Sequence, residues 1–320
     1  MRILITASGG GHTGYAVSLA QRLYGKAELL FIVPEGDVWS KAKVKRYGEV
    51  IEIPKPRGPF DSIAKLLSRL PKAFIKSLRN ISREFNVFIS SGSNHSIPPA
   101  LTAWLKDIPI YNIESCVRFT KPSLTVSILK PFSYKIVLQW NEQKKIHSNG
   151  VVYGPLYELP EYEIINKGYI LVTGGTYGHK LMYNIISQLE LSNIVLQSGN
   201  VDPEPYKEKH PNWTVFKFDP DFGKWIAGAS VVVSHFGKTV IDAALTYRKP
   251  VVIVPNPELK LTVGWEDAKI LASKVNAVIV EEITPRAILQ AIEEAKHKNP
   301  PIYPDGAKIL ADEILLHSPY

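Results

Sequence analysis

Residues 1–23 read MRILITASGGGHTGYAVSLAQRL. Arg2 to Ala7 cluster apolar and β-branched side chains, the pattern of a buried strand. From Thr13 to Leu23 the apolar residues Tyr15, Ala16, Leu19, Ala20 and Leu23 recur at helical spacing. Three glycines join the two. Strand, glycine turn and helix form the first unit of a doubly wound α/β sheet. The free N–H groups at the helix start then point at whatever occupies the turn, and an anion is expected there.

A chain of 320 residues is long for a single core, so two domains are expected. The lone Cys116 excludes internal disulfides and suits a reducing compartment. No signal-peptide pattern opens the chain, and no apolar run approaches the roughly 18 residues of a membrane span. The expectation is a cytoplasmic protein, at most peripheral on the membrane. Charge is asymmetric: residues 1–150 carry a net +12 and residues 151–320 a net −4, together the +8 of the chain. The basic half implies an anionic partner: nucleic acid, a membrane surface or a phosphorylated substrate.

Strand-like runs recur at 2–7, 28–33, 49–53, 86–90, 108–113, 135–140 and 150–153, with helix-like segments near 13–24, 38–47, 61–84, 97–105 and 141–147. A second series follows the Pro-containing stretch 155–168: strands at 168–175, 193–199, 214–218, 230–235, 250–256 and 277–282, with helices near 179–189, 222–229, 238–247, 264–274 and 284–297. The alternation predicts two Rossmann-like parallel sheets in tandem. The expected domains are 1–154 and 169–304, with 155–168 as linker and 305–320 as a closing C-terminal helix. Ligands of such sheets bind beyond the carboxyl ends of the strands, so a cleft between two facing domains is expected to hold the site. Polar and glycine residues gather at those strand ends.

Gly9-x-Gly11-x-x-Gly14, with Glu35 after the next strand, matches the dinucleotide fingerprint and by itself suggests NAD or FAD. SHFGKTVIDAAL at 234–245 carries more chemistry. His235 ends a strand, Gly237 allows close approach, and Lys238 and Thr239 open a helix suited to a diphosphate, with Asp242 placed for ribose hydroxyls. TGGTYGH at 173–179 either receives a phosphate through Gly174, Gly175 and Thr176 or simply packs. Ser198, Asn256 and Glu258 end other strands of this half. In the first half Gly10, Gly11 and Thr13 lie in the opening turn. There His12, disfavoured as imidazolium by the helix start and the basic surroundings, can accept a proton. Glu114 is itself the base, orients His12, or pairs with Arg118. Asn94 and His95 either contact an acceptor or form a turn.

Residues 60–85, FDSIAKLLSRLPKAFIKSLRNISREF, combine the large apolar residues Ile63, Leu66, Leu67, Leu70, Phe74, Ile75, Leu78 and Ile81 with six basic ones. Such a basic amphipathic helix suits an anionic membrane interface, and Pro71 is expected to kink or split it. Residues 118–135 add similar surface. Neither segment shows the exposed aromatics of a single-strand binder, so nucleic acid is not expected.

These residues resemble GT-B glycosyltransferases of the MurG type. They resemble more closely the two-subunit eukaryotic enzyme that adds the second GlcNAc to dolichyl-diphosphate-GlcNAc. SGGGHTGY and NIESCVRFTKPSLTVSILKPFSYKIVLQW resemble motifs of its membrane-recruiting subunit. ILVTGGT and SHFGKTVIDAALTYRKPVVIVPNPEL resemble those of its catalytic subunit. The order looks like a natural fusion of the two. The resemblance implies an inverting transfer of GlcNAc from UDP-GlcNAc to a polyprenyl-diphosphate-linked sugar in lipid-linked oligosaccharide assembly. His12 and Glu114 would be catalytic. Gly174, Gly175, Thr176, Ser198, His235, Gly237, Lys238, Thr239, Asp242, Asn256 and Glu258 would bind the donor, and Gly10, Gly11, Thr13, Asn94, His95 and Arg118 the acceptor. No metal or cofactor is expected, since no His/Cys ligand cluster occurs. Three features depart from the family pattern: no transmembrane anchor precedes the glycine turn, Gly14-Tyr15 follow the His-Thr pair where an acid is usual, and TVGWEDAKILA, with Glu266 and Asp267, replaces the usual glutamine-bearing signature. High Lys and low Gln suit a thermophilic, archaeal source. The rival readings are a UDP-GlcNAc 2-epimerase, a NAD-binding enzyme and a non-catalytic membrane scaffold.

Overall fold

The computed structural model describes residues 1–58, 63–259 and 264–316, and the chain divides into two compact units. The first comprises Met1–Glu158 with Pro304–Tyr320, the second Leu159–Tyr303.

In the first unit the strands are β1 (Arg2–Thr6), β2 (Glu28–Pro34), β3 (Glu49–Ile53), β4 (Val87–Ser90), β5 (Ile110–Ile113), β6 (Lys135–Leu138) and β7 (Val151–Val152). They pair in parallel in the order β3-β2-β1-β4-β5-β6-β7. The helices are α1 (Gly10–Leu23), α2 (Val38–Val44), α3 (Ile63–Asn80), α4 (Ile97–Leu105) and α5 (Leu124–Leu129). The second unit repeats the plan with β8 (Tyr169–Thr173), β9 (Ile194–Gln197), β10 (Thr214–Phe216), β11 (Ala229–Ser234), β12 (Val251–Ile253) and β13 (Val278–Ile279), ordered β10-β9-β8-β11-β12-β13. Its helices are α6 (Lys180–Ile186), α7 (Glu204–Lys209), α8 (Phe222–Gly228), α9 (Lys238–Ile241), α10 (Trp265–Val275) and α11 (Pro285–Ala295). α9 runs on into a wider π-type turn over Asp242–Thr246.

Both sheets thus have a point where strand order reverses, between β1 and β4 and between β8 and β11. Crossovers leave the two central strands in opposite directions there, which opens a crevice at their carboxyl ends. The strands are apolar nearly throughout (Ile3, Leu4 and Ile5 have no exposure), as expected of sheets covered on both faces.

The last helix, α12 (Gly306–Leu316), belongs to the first unit and packs on α1. Asp305 at its start accepts two hydrogen bonds from the Arg22 guanidinium (2.9 and 3.2 Å). Glu313 accepts from the Tyr111 and Tyr153 hydroxyls and pairs with Lys135 at 2.8 Å. Gly154, in the left-handed region (φ 102°), and Gly306 meet so closely that a Cβ on Gly306 would stand 2.2 Å from the Gly154 carbonyl.

Two local expectations change. α3 runs unbroken through Pro71. The ring removes one internal hydrogen bond, but Pro71 is exposed, where water can take up the orphaned carbonyl. Residues 60–62 of the proposed amphipathic segment lie outside the described residues. Within 118–135, Ser123 caps a short α5 by accepting from the Val126 amide (3.3 Å). α3 packs on α4 and α4 on α5. Their outward faces expose Leu70, Ile75, Leu78, Trp104, Leu105, Leu124 and Ile128. Lys72, Arg79, Lys121 and Lys130 are exposed on the same elements and the turn before α5.

Candidate active site

The crevice of the first unit is built from the glycine turn. Gly9 and Gly10 take left-handed backbone (φ 60° and 48°), which lets the chain leave β1 and enter α1 at once. The N-cap of α1 is Gly9, which has no side chain to cap the helix. His12, in its first turn, crosses the reversal point: its Nδ1–H donates to the Ser91 carbonyl after β4 at 2.6 Å. That bond fixes the tautomer, so Nε2 carries the lone pair. Burial lowers the His12 pKa; the Ser91 bond and the negative charge of Glu114 oppose it, and the positive charges of Lys55 and Arg118 reinforce it. With its pKa below the usual 6.5, the ring is a neutral proton acceptor at neutral pH, at a helix start.

Glu114 has another task. It is fully buried, and its carboxylate accepts from the amides of Ser115 (2.8 Å) and Ser123 (3.0 Å) and from His147 Nε2 (2.8 Å). The group that orients His12 is the Ser91 carbonyl, and the partner of Glu114 is His147, where Arg118 was the sequence candidate. Thr13 also turns inward: it is fully buried and bonded to Ser40 Oγ (2.7 Å), which itself receives the Gly9 N–H (2.8 Å) and donates to Asp37 (2.6 Å). His95 has no exposure and lies among the carbonyls of Val33 and Pro54 without a well-formed hydrogen bond; burial and Lys55 drive its pKa down to about 3. Asn94 donates to the Arg57 carbonyl (2.9 Å). Thr13 and His95 are fully buried, while Gly10, Gly11, His12 and Arg118 are not. Of the dinucleotide fingerprint, Gly14 is buried inside α1, and Glu35 is an exposed carboxylate paired with Lys76 (2.7 Å).

In the second unit the turn after β8 packs against the loop after β9. Gly175, Gly178 and Gly199 are all left-handed, and a Cβ on Gly199 would lie 2.3 Å from the Gly175 carbonyl. Gly175 faces His235 across the β8/β11 reversal point, where an added Cβ would be 2.9 Å from the ring. The first unit has a looser counterpart, with His12 opposite Gly92. Burial and the neighbouring His179 push the His235 pKa down to about 4. The buried hydroxyls of Ser198 and Ser234 have no hydrogen-bond partner, as expected of groups awaiting a polar ligand or water.

Lys238 and Asp242 are buried and joined to each other as an i,i+4 ion pair. The sequence placed one on a diphosphate and the other on a ribose; the helix register brings them together instead. Gly237 is extended (φ 176°) and half-buried, as is Thr239. Asn256 donates to the Gly178 carbonyl (3.2 Å) and accepts from the Glu258 amide (3.0 Å), which leaves the Glu258 side chain exposed. Asp267 caps α10 through the Gly264 amide (3.2 Å), and Glu266 is exposed. Residues 260–263 lie outside the described residues. Lys55 and His147 were not singled out in the sequence, and Ser91 only as one of the polar residues at a strand end; each meets its partner only through pairing of elements far apart in the chain.

Residues 3–156 match the family described as oligosaccharide biosynthesis protein Alg14 like, and residues 169–313 the glycosyltransferase family 28 C-terminal domain. The chain is 25% identical to the UDP-N-acetylglucosamine–N-acetylmuramyl-(pentapeptide) pyrophosphoryl-undecaprenol N-acetylglucosamine transferase of Myxococcus xanthus, covering 92% of this chain and 85% of that protein. It is 27% identical to the same-named protein of Anaeromyxobacter sp. (strain K), over 92% and 84%. Among solved structures it resembles Acinetobacter baumannii MurG (TM-score 0.62, 18% identity, 98% of this chain and 99% of that one). It also resembles UDP-GlcNAc 2-epimerase from Neisseria meningitidis (TM-score 0.68, 14% identity, 99% and 100%). The two Rossmann-like units have the fold of GT-B proteins, and the domain matches make the chain a glycosyltransferase. More particularly it resembles the MurG type, with an Alg14-like match over the first half followed by a family 28 C-terminal match over the second in one polypeptide.

Proposed function

We propose that the protein transfers N-acetylglucosamine from UDP-GlcNAc, with inversion and without a metal, to a sugar carried on a polyprenyl diphosphate. The single observation that carries this reading is the neutral His12, its tautomer fixed by Ser91, at an uncapped helix start beside Arg118 and Lys55. The acceptor hydroxyl gives its proton to His12 Nε2 as its oxygen bonds to the anomeric carbon. The bond from that carbon to the donor phosphate breaks, and its electron pair leaves on UDP. The amides of Gly10 and Gly11 with Lys55 and Arg118 suit the diphosphate of the acceptor. In the second unit Gly174, Gly175, Thr176, Ser198, His235, Gly237, Thr239, Asn256 and Glu258 are assigned to the donor, with the Lys238–Asp242 pair supporting the helix start. The names of the relatives supply the donor sugar and the lipid-diphosphate class of acceptor.

The Alg14-like half favours an acceptor of the dolichyl-diphosphate-GlcNAc kind, hence a step in lipid-linked oligosaccharide assembly for N-glycosylation. Among the described residues no helix is long and apolar enough to cross a membrane. The basic, apolar faces of α3, α4 and α5 are assigned to peripheral contact with anionic lipid on the cytoplasmic side. The test is transfer of label from a panel of UDP-sugars to a short synthetic polyprenyl-diphosphate-GlcNAc in EDTA. Product from UDP-GlcNAc alone is expected. Turnover of UDP-GlcNAc to a 2-epimer without transfer would overturn the reading in favour of the epimerase.

A further inference from the structure

Residues 114–123, between β5 and α5, have little regular structure, yet much of their backbone is buried, so its polar groups need side-chain partners. The Cys116 amide donates to the Tyr15 hydroxyl (2.9 Å), and the Trp140 indole donates to the Cys116 carbonyl (2.9 Å). Gln143 Nε2 donates to the carbonyls of Ser115 (2.7 Å) and Arg118 (2.9 Å). The Glu114 carboxylate closes both ends of the segment at once, through the amides of Ser115 and Ser123, and His147 anchors that carboxylate from beyond β6. The segment carries Arg118, which is half-buried and whose carbonyl Gln143 holds; its positive charge disfavours protonation of His12, while the negative charge of Glu114 favours it.

We propose that Glu114 and His147 are positioning residues, whose buried pair fixes segment 114–123 so that Arg118 stands beside His12 to hold the diphosphate of the acceptor. The identity of that anion rests on the transferase reading; the bracing of the loop does not. A carboxylate offers about four acceptor positions; three are filled here by N–H donors and the residue has no exposure, so bracing the loop is the role its contacts support. Glu114→Gln is a poor probe, since one amide face would set N–H against N–H. His147 is the cleaner one: Phe keeps the bulk and removes the donor, while Gln keeps an N–H donor.

The experiment measures steady-state kinetics with UDP-GlcNAc and the synthetic acceptor, together with amide hydrogen exchange at Ser115 and Ser123. His147→Phe is expected to raise the acceptor KM roughly tenfold, the worth of about one buried hydrogen bond, with the donor KM unchanged and exchange at both amides accelerated. His147→Gln is expected to restore both. Arg118→Ala is expected to raise the acceptor KM alike while the two amides stay protected. An unchanged acceptor KM in Arg118→Ala overturns the proposal even where His147→Phe does not fold. Unchanged exchange in a folded His147→Phe also overturns it. A wild type that transfers nothing, while exchange accelerates in His147→Phe, rejects the transferase reading and upholds the bracing of the loop.

Discussion

His12 is the residue on which the chemistry turns. His12→Ala is expected to lower kcat/KM by about 10² to 10⁴, the usual contribution of a positioned base, while UDP binding measured by calorimetry is unchanged. The base must be unprotonated, and its pKa is lowered from 6.5, so the acid limb of kcat/KM is expected to have its midpoint below 6.5. A midpoint above that value would mean that another group limits the reaction. His12 was legible in the sequence because strand, glycine turn and helix lie within one short run. Its orienting partner was not, since Ser91 lies 79 residues away and β4 must first pair with β1. Thr13 shows the converse failure. Its place in the motif suggested a ligand contact, but the Ser40 hydroxyl draws it inward.

At the scale of elements, the long strands and helices could be read because periodicity accumulates over many residues. α5 could not: at six residues it makes fewer than two turns, and its cap lies within a stretch that read as mixed basic and apolar surface. The close approach of Gly154 and Gly306 was equally hidden, because the contact joins the middle of the chain to its C-terminal helix. Gly306→Ala is expected to destabilise the protein by roughly 1–3 kcal/mol, since the added Cβ meets backbone that cannot rotate away. Differential scanning calorimetry would show the lowered thermal midpoint; an unchanged midpoint would mean that α12 shifts freely. On α3, the double change Ile75→Glu with Leu78→Glu is expected to weaken sedimentation with phosphatidylglycerol vesicles at least tenfold without altering UDP binding. Wild-type binding that does not fall with added salt would argue against basic side chains as the anchor.

For the whole molecule, the two-sheet plan and the basic first half were legible, because alternation and charge are sums over many residues. The allegiance of the C-terminal helix was not: Arg22, Lys135 and the two tyrosines that bind it carry no signal before the fold exists. Burial also gives the molecule a shared pH response. His95 is held at about 3 and His179 and His235 at about 4, against 6.5 in the unfolded chain. Between those values the unfolded state binds more protons, so stability rises with pH and falls as the medium is acidified. The thermal midpoint is expected to be flat above about pH 6.5 and to drop steadily towards pH 4. A midpoint constant across that range would show that these rings are protonated in the fold.

The central claim is that one polypeptide carries both the donor-binding and the acceptor-activating halves of a sugar transfer. The most direct measurement is single-turnover transfer from radiolabelled UDP-GlcNAc to the synthetic polyprenyl-diphosphate-GlcNAc by the purified chain alone, in EDTA, beside His12→Ala. Labelled disaccharide on the lipid from the wild type, and its loss in a variant that still binds UDP, is the predicted result. Transfer by His12→Ala at the wild-type rate would contradict the account.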